Sequence, residues 1–504
     1  MKTTSLKSFT LFPGMLALWP AAASAQTFTN LHNFTGAPYA FPIGFPAGGD
    51  GASPTAGLFL QGNILYGTTE NGGSPGGKGT TFGINANGTG YAMLGVFGAA
   101  NSYGNSYGVG PPPTYFTDPN GAYPVGGLTA GGIGTTKLGL YGFGTVFGGN
   151  GSYQIYQFSN SFVGANPEGT LASASGGPDG HILYGTASAG GAGGRGTAFR
   201  IDYSLFIVPP YQEWATASLT VLHPFGGGSD GAYPAAGLVL SGDTLYGTAS
   251  GDSYGNGSTV FKVGTNGMNF ATLYNFTNGI DGAYPVSDLV LSGNTLYGTA
   301  KFGGSAGNGT VFKVNTDGSG FAPLYSFSAM SGSPATNSDG ADPVAGLVLS
   351  HNILFGTASA GGTGGNGTIF RINTDGTGFT TLYNFTPVFT NRVYAALTNA
   401  DGANPAGDLL LSSNVLYGTA ENGGTSGLGT VFALSVPPIA VSLPLNIQLA
   451  GDSVVLTWTN TGVSLQSAPG VQPVNSGFTN ITGATSPYTN PITGSEMFFR
   501  LNPD

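Results

Sequence analysis

One short phrase, "LYGTA", recurs through this 504-residue chain, and no other feature narrows the possible folds as far. Its central aromatic stands at Tyr66, Tyr141, Tyr184, Tyr246, Tyr297, Phe355 and Tyr417, which makes seven copies spaced 43 to 75 residues apart. A repeat of that size is one supersecondary unit that buries its apolar face only by stacking on its neighbours. The whole unit reads "DGAxPxxGLVLSGNxLYGTAxxGGxxGxGTVFKVNxDGxGFxxLYNF". Its four apolar bursts, "GLVLS", "LYGTA", "GTVFKV" and "FxxLYNF", are rich in β-branched and aromatic residues and are separated by turn sequences, so each unit is a four-stranded antiparallel meander.

The copies are out of phase with the chain ends. A fourth burst, "TFTNLHNF" at Thr27 to Phe34, precedes any complete unit, and the last unit stops after "GTVFAL" at Leu434. The N-terminal strand is therefore free to complete the last sheet. The expected fold is all-β: a seven-bladed β-propeller over residues 26–435, closed by that strand and leaving no long open sheet edge. An open β-solenoid is the alternative, although solenoid periods are usually shorter. The second copy, "LGLYGFGTVFGG", reads as a fusion of second and third strands around Tyr141, with a trimmed loop. After Pro437-Pro438 the repeat ends, and "VVLTWTN", "FTNIT" and "MFFRLN" predict a small C-terminal β-sandwich-like domain over 436–504.

Composition narrows the setting. Residues 1–25 carry Lys2 and Lys7, an apolar stretch and Ala23-Ser24-Ala25, the pattern of a signal peptide cleaved before Gln26. An uncleaved anchor is the alternative, but Pro13 and Pro20 interrupt a run already too short to span a bilayer. The expected location is secreted, extracellular or cell-surface. With no Cys, there is no disulfide and no thiolate metal site. Without Lys2 and Lys7 the mature chain carries a net charge of −12, from ten basic and 22 acidic residues, which argues against nucleic acid or an anionic membrane as partner.

Residues repeated in every copy read as scaffold. Gly298 and Gly356 are expected where neighbouring blades pack closely. The glycine pairs at 303–304 and 361–362, and Asp317-Gly318 and Asp375-Gly376, read as turns. Asp230, Asp281, Asp339 and Asp401 open the "DGAxP" element and are expected to cap their own turns; a cation-binding ring of carboxylates is the alternative. Asn308 and Asn366, each in "NGT", read as turn residues and not as glycosylation acceptors.

"GLVLSGNTLYGTA", "GNGTVFKVNTDGSGF" and "LYNF" closely resemble the choice-of-anchor tandem repeat (GloVer-containing) family of exported bacterial proteins. The resemblance covers nearly all of 27–434. It implies an extracellular life and supplies no catalytic residues. Family members end in varied surface-attachment signals, whereas this chain ends "FFRLNPD".

No catalytic or metal motif stands out, and no cofactor is expected. His32, His181, His223 and His351 form no pair at metal-ligand spacing, and His32 and His223 match Tyr274, Tyr325 and Tyr383 of other copies as strand-packing residues. Glu70, Glu168, Glu213 and Glu421 are the acids that folding would have to pair for glycoside chemistry. The copies differ most in four long blade-to-blade crossovers, 35–49, 98–117, 328–338 and 386–400, which occupy consecutive junctions. This arc carries Tyr39, Phe41, Phe45, Tyr103, Tyr107, Tyr115, Phe116, Phe389, Arg392 and Tyr394, side chains suited to recognising sugars or protein surfaces. The same aromatics would alternatively cover the arc's own core. Residues 203–217, with Tyr211 and Trp214, should project from the opposite face. The functional expectation is a binding or scaffolding module, with polysaccharide or a cell-surface protein as partner; the alternative is a polysaccharide-active propeller enzyme.

Overall fold

The computed structural model describes residues 26–503 except 36–48, 74–76, 99–120, 140–141, 160, 176–179, 209–211, 253–254, 392–395, 438–445, 451–452, 459–462, 469–478, 482–483 and 492–497. The chain divides into two compact units, Met1–Pro437 and Pro438–Asp504.

The first unit is a seven-bladed β-propeller of antiparallel sheets, four-stranded in six blades and five-stranded in the last, where the short strand Ala403–Pro405 also pairs. Blade 5 shows the pattern: an innermost strand Val290–Ser292, then Thr295–Ala300, Thr310–Asn315 and the outermost Ala322–Ser326. Gly293 and Gly318 close its hairpins at positive φ, 57° and 90°, a conformation that costs glycine little. Blade 7 ends at Thr430–Ser435, and Phe28–Asn33 pairs with that strand antiparallel, so the N-terminus supplies the missing outermost strand.

A bulge recurs in the outer strand pair of all seven blades, immediately before the buried Phe of the third strand or beside it. Such an extra residue bends a strand and sharpens its twist. The Phe that ends each outermost strand meets the third-strand Phe of the next blade edge to face. The pairs are Phe34–Phe82, Phe97–Phe147, Phe158–Phe199, Phe225–Phe261, Phe276–Phe312, Phe327–Phe370 and Phe385–Phe432, with centroids 5.0–5.4 Å apart. Each pair contributes about 0.5–1.5 kcal/mol beyond the area it buries.

Two expectations need correction. A side chain at Gly298 would strike Leu289 and Phe312 of its own blade, and one at Gly356 would strike Leu347 and Phe370. The close approach thus lies within a blade, where the first- and third-strand side chains close over the glycine. In blade 2 the second strand is Gly134–Leu138, not a stretch around Tyr141, which lies outside the described residues. Gly134 takes the usual glycine's place beneath Leu128 and Phe147, and Ile133 replaces the aromatic. The following loop is short, as the sequence implied.

The crossover aspartates are structural. Asp339, 4% exposed, accepts from the Tyr325 hydroxyl and the Ser328 N–H, both at 2.8 Å, and from the Ser328 hydroxyl. Asp281 and Asp401 repeat this with Tyr274 and Thr277, and with Tyr383 and Thr386. Burial alone would raise the Asp281 carboxyl, but the bonds from Thr277, Tyr274 and Gly279 outweigh it and hold the group below its usual range. His32 and His223 replace the tyrosine, bonding Asp50 at 3.0 Å and Asp230 at 2.7 Å. Each of these five rings also stacks on an aromatic of the next blade: Tyr91, Phe270, Phe321, Phe379 and Phe28. Asn308 and Asn366 donate their amides to the Ser328 and Thr386 carbonyls, both at 2.6 Å, tying loop to crossover.

The second unit holds two three-stranded sheets: Asn446–Ala450, Ser453–Thr457 and Tyr488–Pro491 in one, Thr479–Asn480, Val463–Ala468 and Phe498–Pro503 in the other. Leu456, Trp458 and Leu465 are its buried core, joined by Val454, Tyr488 and Phe499.

Replacing Asp339 by Ala strands the Tyr325 and Ser328 donors and is expected to cost about 2–4 kcal/mol in denaturant unfolding. Asp317→Ala, at an exposed turn, should leave the midpoint nearly unchanged.

Candidate functional site: the axial channel and the crossover face

The innermost strands surround an axial cavity of about 330 Å³ that is lined from all seven blades. The "A-x-P" element brings each blade to it. Its middle residue, Ser53, Tyr123, Asn166, Tyr233, Tyr284, Asp342 or Asn404, has a positive φ of 54–60° in every blade. Asn and Asp tolerate this region, whereas Tyr adopts it only under constraint from its surroundings. The constraint is a bond from its N–H to the preceding blade: Tyr123 to the Lys78 carbonyl, Tyr233 to the Arg195 carbonyl (both 2.7 Å), Tyr284 to the Ser258 hydroxyl (3.2 Å). In four blades the second-strand threonine makes a further tie to the next blade: Thr186 to the Ala236 carbonyl at 2.6 Å, Thr248 to that of Ser287 at 3.2 Å, and Thr299 to that of Ala345 and Thr419 to that of Ala56, both at 3.0 Å.

Seven residues just before the first apolar burst form a constriction: Gly57, Gly127, Thr170, Gly237, Asp288, Gly346 and Asp408. The three side chains each lie over the glycine of the preceding blade. Gly127 N–H donates to Thr170 Oγ1 at 3.2 Å, Gly237 N–H to Asp288 and Gly346 N–H to Asp408. A Cβ on Gly237 or Gly346 would come within 3.0 Å of the carboxylate concerned. Asp288 is half-buried on the cavity wall; desolvation there and the nearby Asp408 charge push its carboxyl up to about 7, although Gly237 and the Thr170 hydroxyl stabilise its charged form. Burial also raises Asp408.

Three of the four glutamates singled out in the sequence converge near this axis. Glu70, Glu168 and Lys137 line the cavity, with Lys137 Nζ 3.5 Å from Glu168, and Ser188 donates to the same Glu168 oxygen at 3.1 Å. Burial raises the Glu70 carboxyl; Lys137 opposes that, and the charges of Glu421 and Glu168 add to it. Glu421 is likewise raised by burial. Glu213 lies apart, on the outer hairpin of blade 3, opposite Ile207. Among the described residues, no group of three or more His, Asp or Glu could hold a metal ion.

The crossovers and the loops between second and third strands share one face of the ring. Of the expected aromatic arc, Phe389 is described; Tyr39, Phe41, Phe45, Tyr103, Tyr107, Tyr115, Phe116, Arg392 and Tyr394 lie outside the described residues. Phe389 is 70% exposed on a hairpin, Phe389–Asn391 with Ala396–Thr398, and Leu397 is 55% exposed on it. Crossover 328–338 instead folds back: Ser331 and Thr336 exchange backbone bonds, and Asn337 bonds Ser328, Gly340 and Gly362. The insertion at 203–217 continues blade 3 as strands Thr197–Val208 and Gln212–Pro224, with Trp214 opposite Phe206 in register; Tyr211 lies outside the described residues.

The constriction and Lys137 do not stand out in a list of motifs. Their signal is departure from the repeat: Asp288 and Asp408 replace the Gly of "GLVL", and Glu70, Lys137 and Glu421 fill the variable place after "GTT" or "GTA". Gly346→Ala is expected to destabilise by about 1–2 kcal/mol by crowding Asp408. In an Asp408→Gly background that cost should largely vanish, a coupling that a double-mutant cycle of unfolding energies measures.

Among the described residues, no helix is long and apolar enough to cross a membrane. No curated protein matches the chain. Among solved structures it is similar to BamB from Moraxella catarrhalis, at 13% identity and TM-score 0.35, over 76% of this chain and 85% of that one. It is also similar to the tricorn protease, at 10% identity and TM-score 0.27, over 79% of this chain and 42% of that one. A third is CoXyl43, a GH43 beta-xylosidase/alpha-arabinofuranosidase from a compost microbial metagenome, at 9% identity and TM-score 0.26, over 58% and 93%. These likenesses are too slight to carry an argument about activity. The model of the Gloeobacter/Verrucomicrobia repeat matches residues 134–338 and 205–401, which together span just over half of the sequence. With the same unit recurring in all seven blades, the chain belongs to the Gloeobacter/Verrucomicrobia repeat family.

Proposed function

We propose that this protein is an exported, non-enzymatic recognition module that presents its crossover face to a polysaccharide or a cell-surface protein. One observation carries the reading. The three most exposed large apolar side chains among the described residues, Phe162 (78%), Ile280 (75%) and Phe389 (70%), all stand on crossovers. Isolated exposed apolar residues are ordinary, but a face that gathers them around a rigid ring is suited to contact. The ring itself is occupied with its own bonds: its recurrent aspartates and asparagines, and four of its seven second-strand threonines, are engaged in holding blades together. The aromatic arc would add Tyr39, Phe41, Phe45, Tyr103, Tyr107, Tyr115, Phe116, Arg392 and Tyr394 to this face. The leader at 1–25 is the basis for export.

A second reading, a polysaccharide-active enzyme, draws on the convergence of Glu70 and Glu168 beside Lys137. Burial favours the protonated, acid form of Glu70, against the pull of Lys137, whose ammonium lies 3.5 Å from Glu168; glycoside cleavage requires two such carboxyls facing one cleft.

Binding of the mature chain to a panel of polysaccharides, with released sugars assayed in the same wells, separates the two. Retention without release is expected, and Phe162→Ala/Ile280→Ala/Phe389→Ala should weaken it at least tenfold with no change in melting temperature. Unaltered binding by this variant and by Tyr103→Ala/Tyr107→Ala/Tyr115→Ala would remove the crossover face from consideration. Sugar release that Glu70→Gln abolishes would establish the enzyme instead.

A further inference from the structure

We propose that the axial cavity, walled on one side by Tyr284, binds a neutral sugar, free or at the end of a glycan chain. The inference rests on the polysaccharide reading above and adds a site to it: the crossover face takes the chain, and the cavity takes its terminal ring.

Tyr284 is the residue for which the scaffold does not account. The middle position of "A-x-P" has the same left-handed backbone in all seven blades, and in all seven its N–H is bonded to the preceding blade. That geometry does not call for an aromatic. Asn166, Asp342 and Asn404 fill it with side chains that tolerate positive φ, whereas tyrosine adopts it at a cost. Two of the three tyrosines have partners: Lys78 Nζ donates to the Tyr123 hydroxyl at 2.8 Å, and the Arg195 guanidinium lies over the Tyr233 ring, 5.9 Å from its centroid. Tyr284 has no such cation, and among the described residues no group bonds its hydroxyl. Its ring meets Phe302, with centroids 5.8 Å apart and planes tilted by 41°. Phe302 is 39% exposed on the loop after the second strand, with Lys301 Nζ 4.9 Å from its centroid. The two rings make one aromatic wall, from the cavity that Tyr284 lines to the solvent that Phe302 meets.

The groups around that wall suit hydroxyls. Glu70, Glu168, Asp288 and Asp408 line the cavity with one cation, Lys137. Carboxyls accept from hydroxyls while an aromatic ring covers the apolar C–H face of a sugar, a combination that fixes the orientation of a polyhydroxylated ring. Glu70 is half-buried and accepts no hydrogen bond from any described residue, so its oxygens are open to a ligand. Four acids against one lysine disfavour an anionic sugar such as a uronate, which sets the class as neutral. At about 330 Å³ the cavity stands at the small end of the range for small-molecule sites.

The test is affinity electrophoresis of the mature chain in native gels containing xylan, laminarin or polygalacturonate. One of the neutral polymers should retard the protein, and polygalacturonate should not. Tyr284→Asn installs the residue that blades 3 and 7 carry at the same backbone position, so it should weaken retardation at least tenfold while the melting temperature holds or rises. Tyr233→Asn, whose ring Arg195 already covers, should bind as the wild type does. Unaltered retardation of Tyr284→Asn, or an equal loss in Tyr233→Asn, overturns the cavity site and leaves the crossover reading standing. Stronger retardation by polygalacturonate overturns the ligand class, and no retardation in any gel overturns this inference and the polysaccharide reading together. Should Tyr284→Asn melt markedly lower than the wild type, Glu70→Gln decides from another blade: a loss of at least threefold is expected, and unchanged binding overturns the proposal.

Discussion

The edge-to-face contact between two phenylalanines at every blade junction is the interaction on which the rest of the ring depends. A blade alone is a small twisted sheet with two apolar faces, and it becomes stable only when both are covered. The Phe ending one outermost strand covers the third-strand Phe of the next blade, and this happens at all seven junctions without exception. The seventh junction explains the phase of the chain. Phe34 reaches Phe82 because the N-terminal strand has joined the last sheet, so closure of the ring and burial of its final interface are one event.

Outside that aromatic belt, the blades are tied by polar contacts that do two jobs. At the periphery, a Tyr or His stacks on the next blade while bonding the crossover aspartate, which fixes both the blade angle and the path of the chain toward the axis. At the axis, the strained middle residue of "A-x-P" bonds backward and, in four blades, a threonine bonds forward. With its framework held at both radii, the propeller has crossovers that can vary in length without disturbing it, as loops on rigid scaffolds commonly do.

The blade count, the strand order and the closing strand were legible because they rest on local patterns repeated seven times: Gly at turns, β-branched runs, Asp-Gly hairpins. Tyr141 misled because the eye follows the aromatic, while the strand follows the glycine: Gly134 occupies the buried place under Phe147, and a neighbouring Ile serves in the aromatic's stead. The packing of Gly298 was misassigned for a related reason, since sequence shows that space is needed but not which side chain fills it. The gathering of Glu70, Glu168 and Glu421 was invisible because they lie in different blades, up to 351 residues apart in the chain. Only ring closure brings the first blade beside the last.

The constriction has a further consequence. Side chains and glycines alternate around it, Gly127, Thr170, Gly237, Asp288, Gly346, Asp408, Gly57, and a ring of seven cannot alternate without one fault. The fault is the glycine pair at blades 1 and 2. Exchanging blade 4 with either neighbour would set Thr170 beside Asp288, two side chains competing for one glycine-sized space. The seven units look interchangeable in sequence, but they are not permutable: the order of the copies is itself written into the fold, by the smallest residue in it.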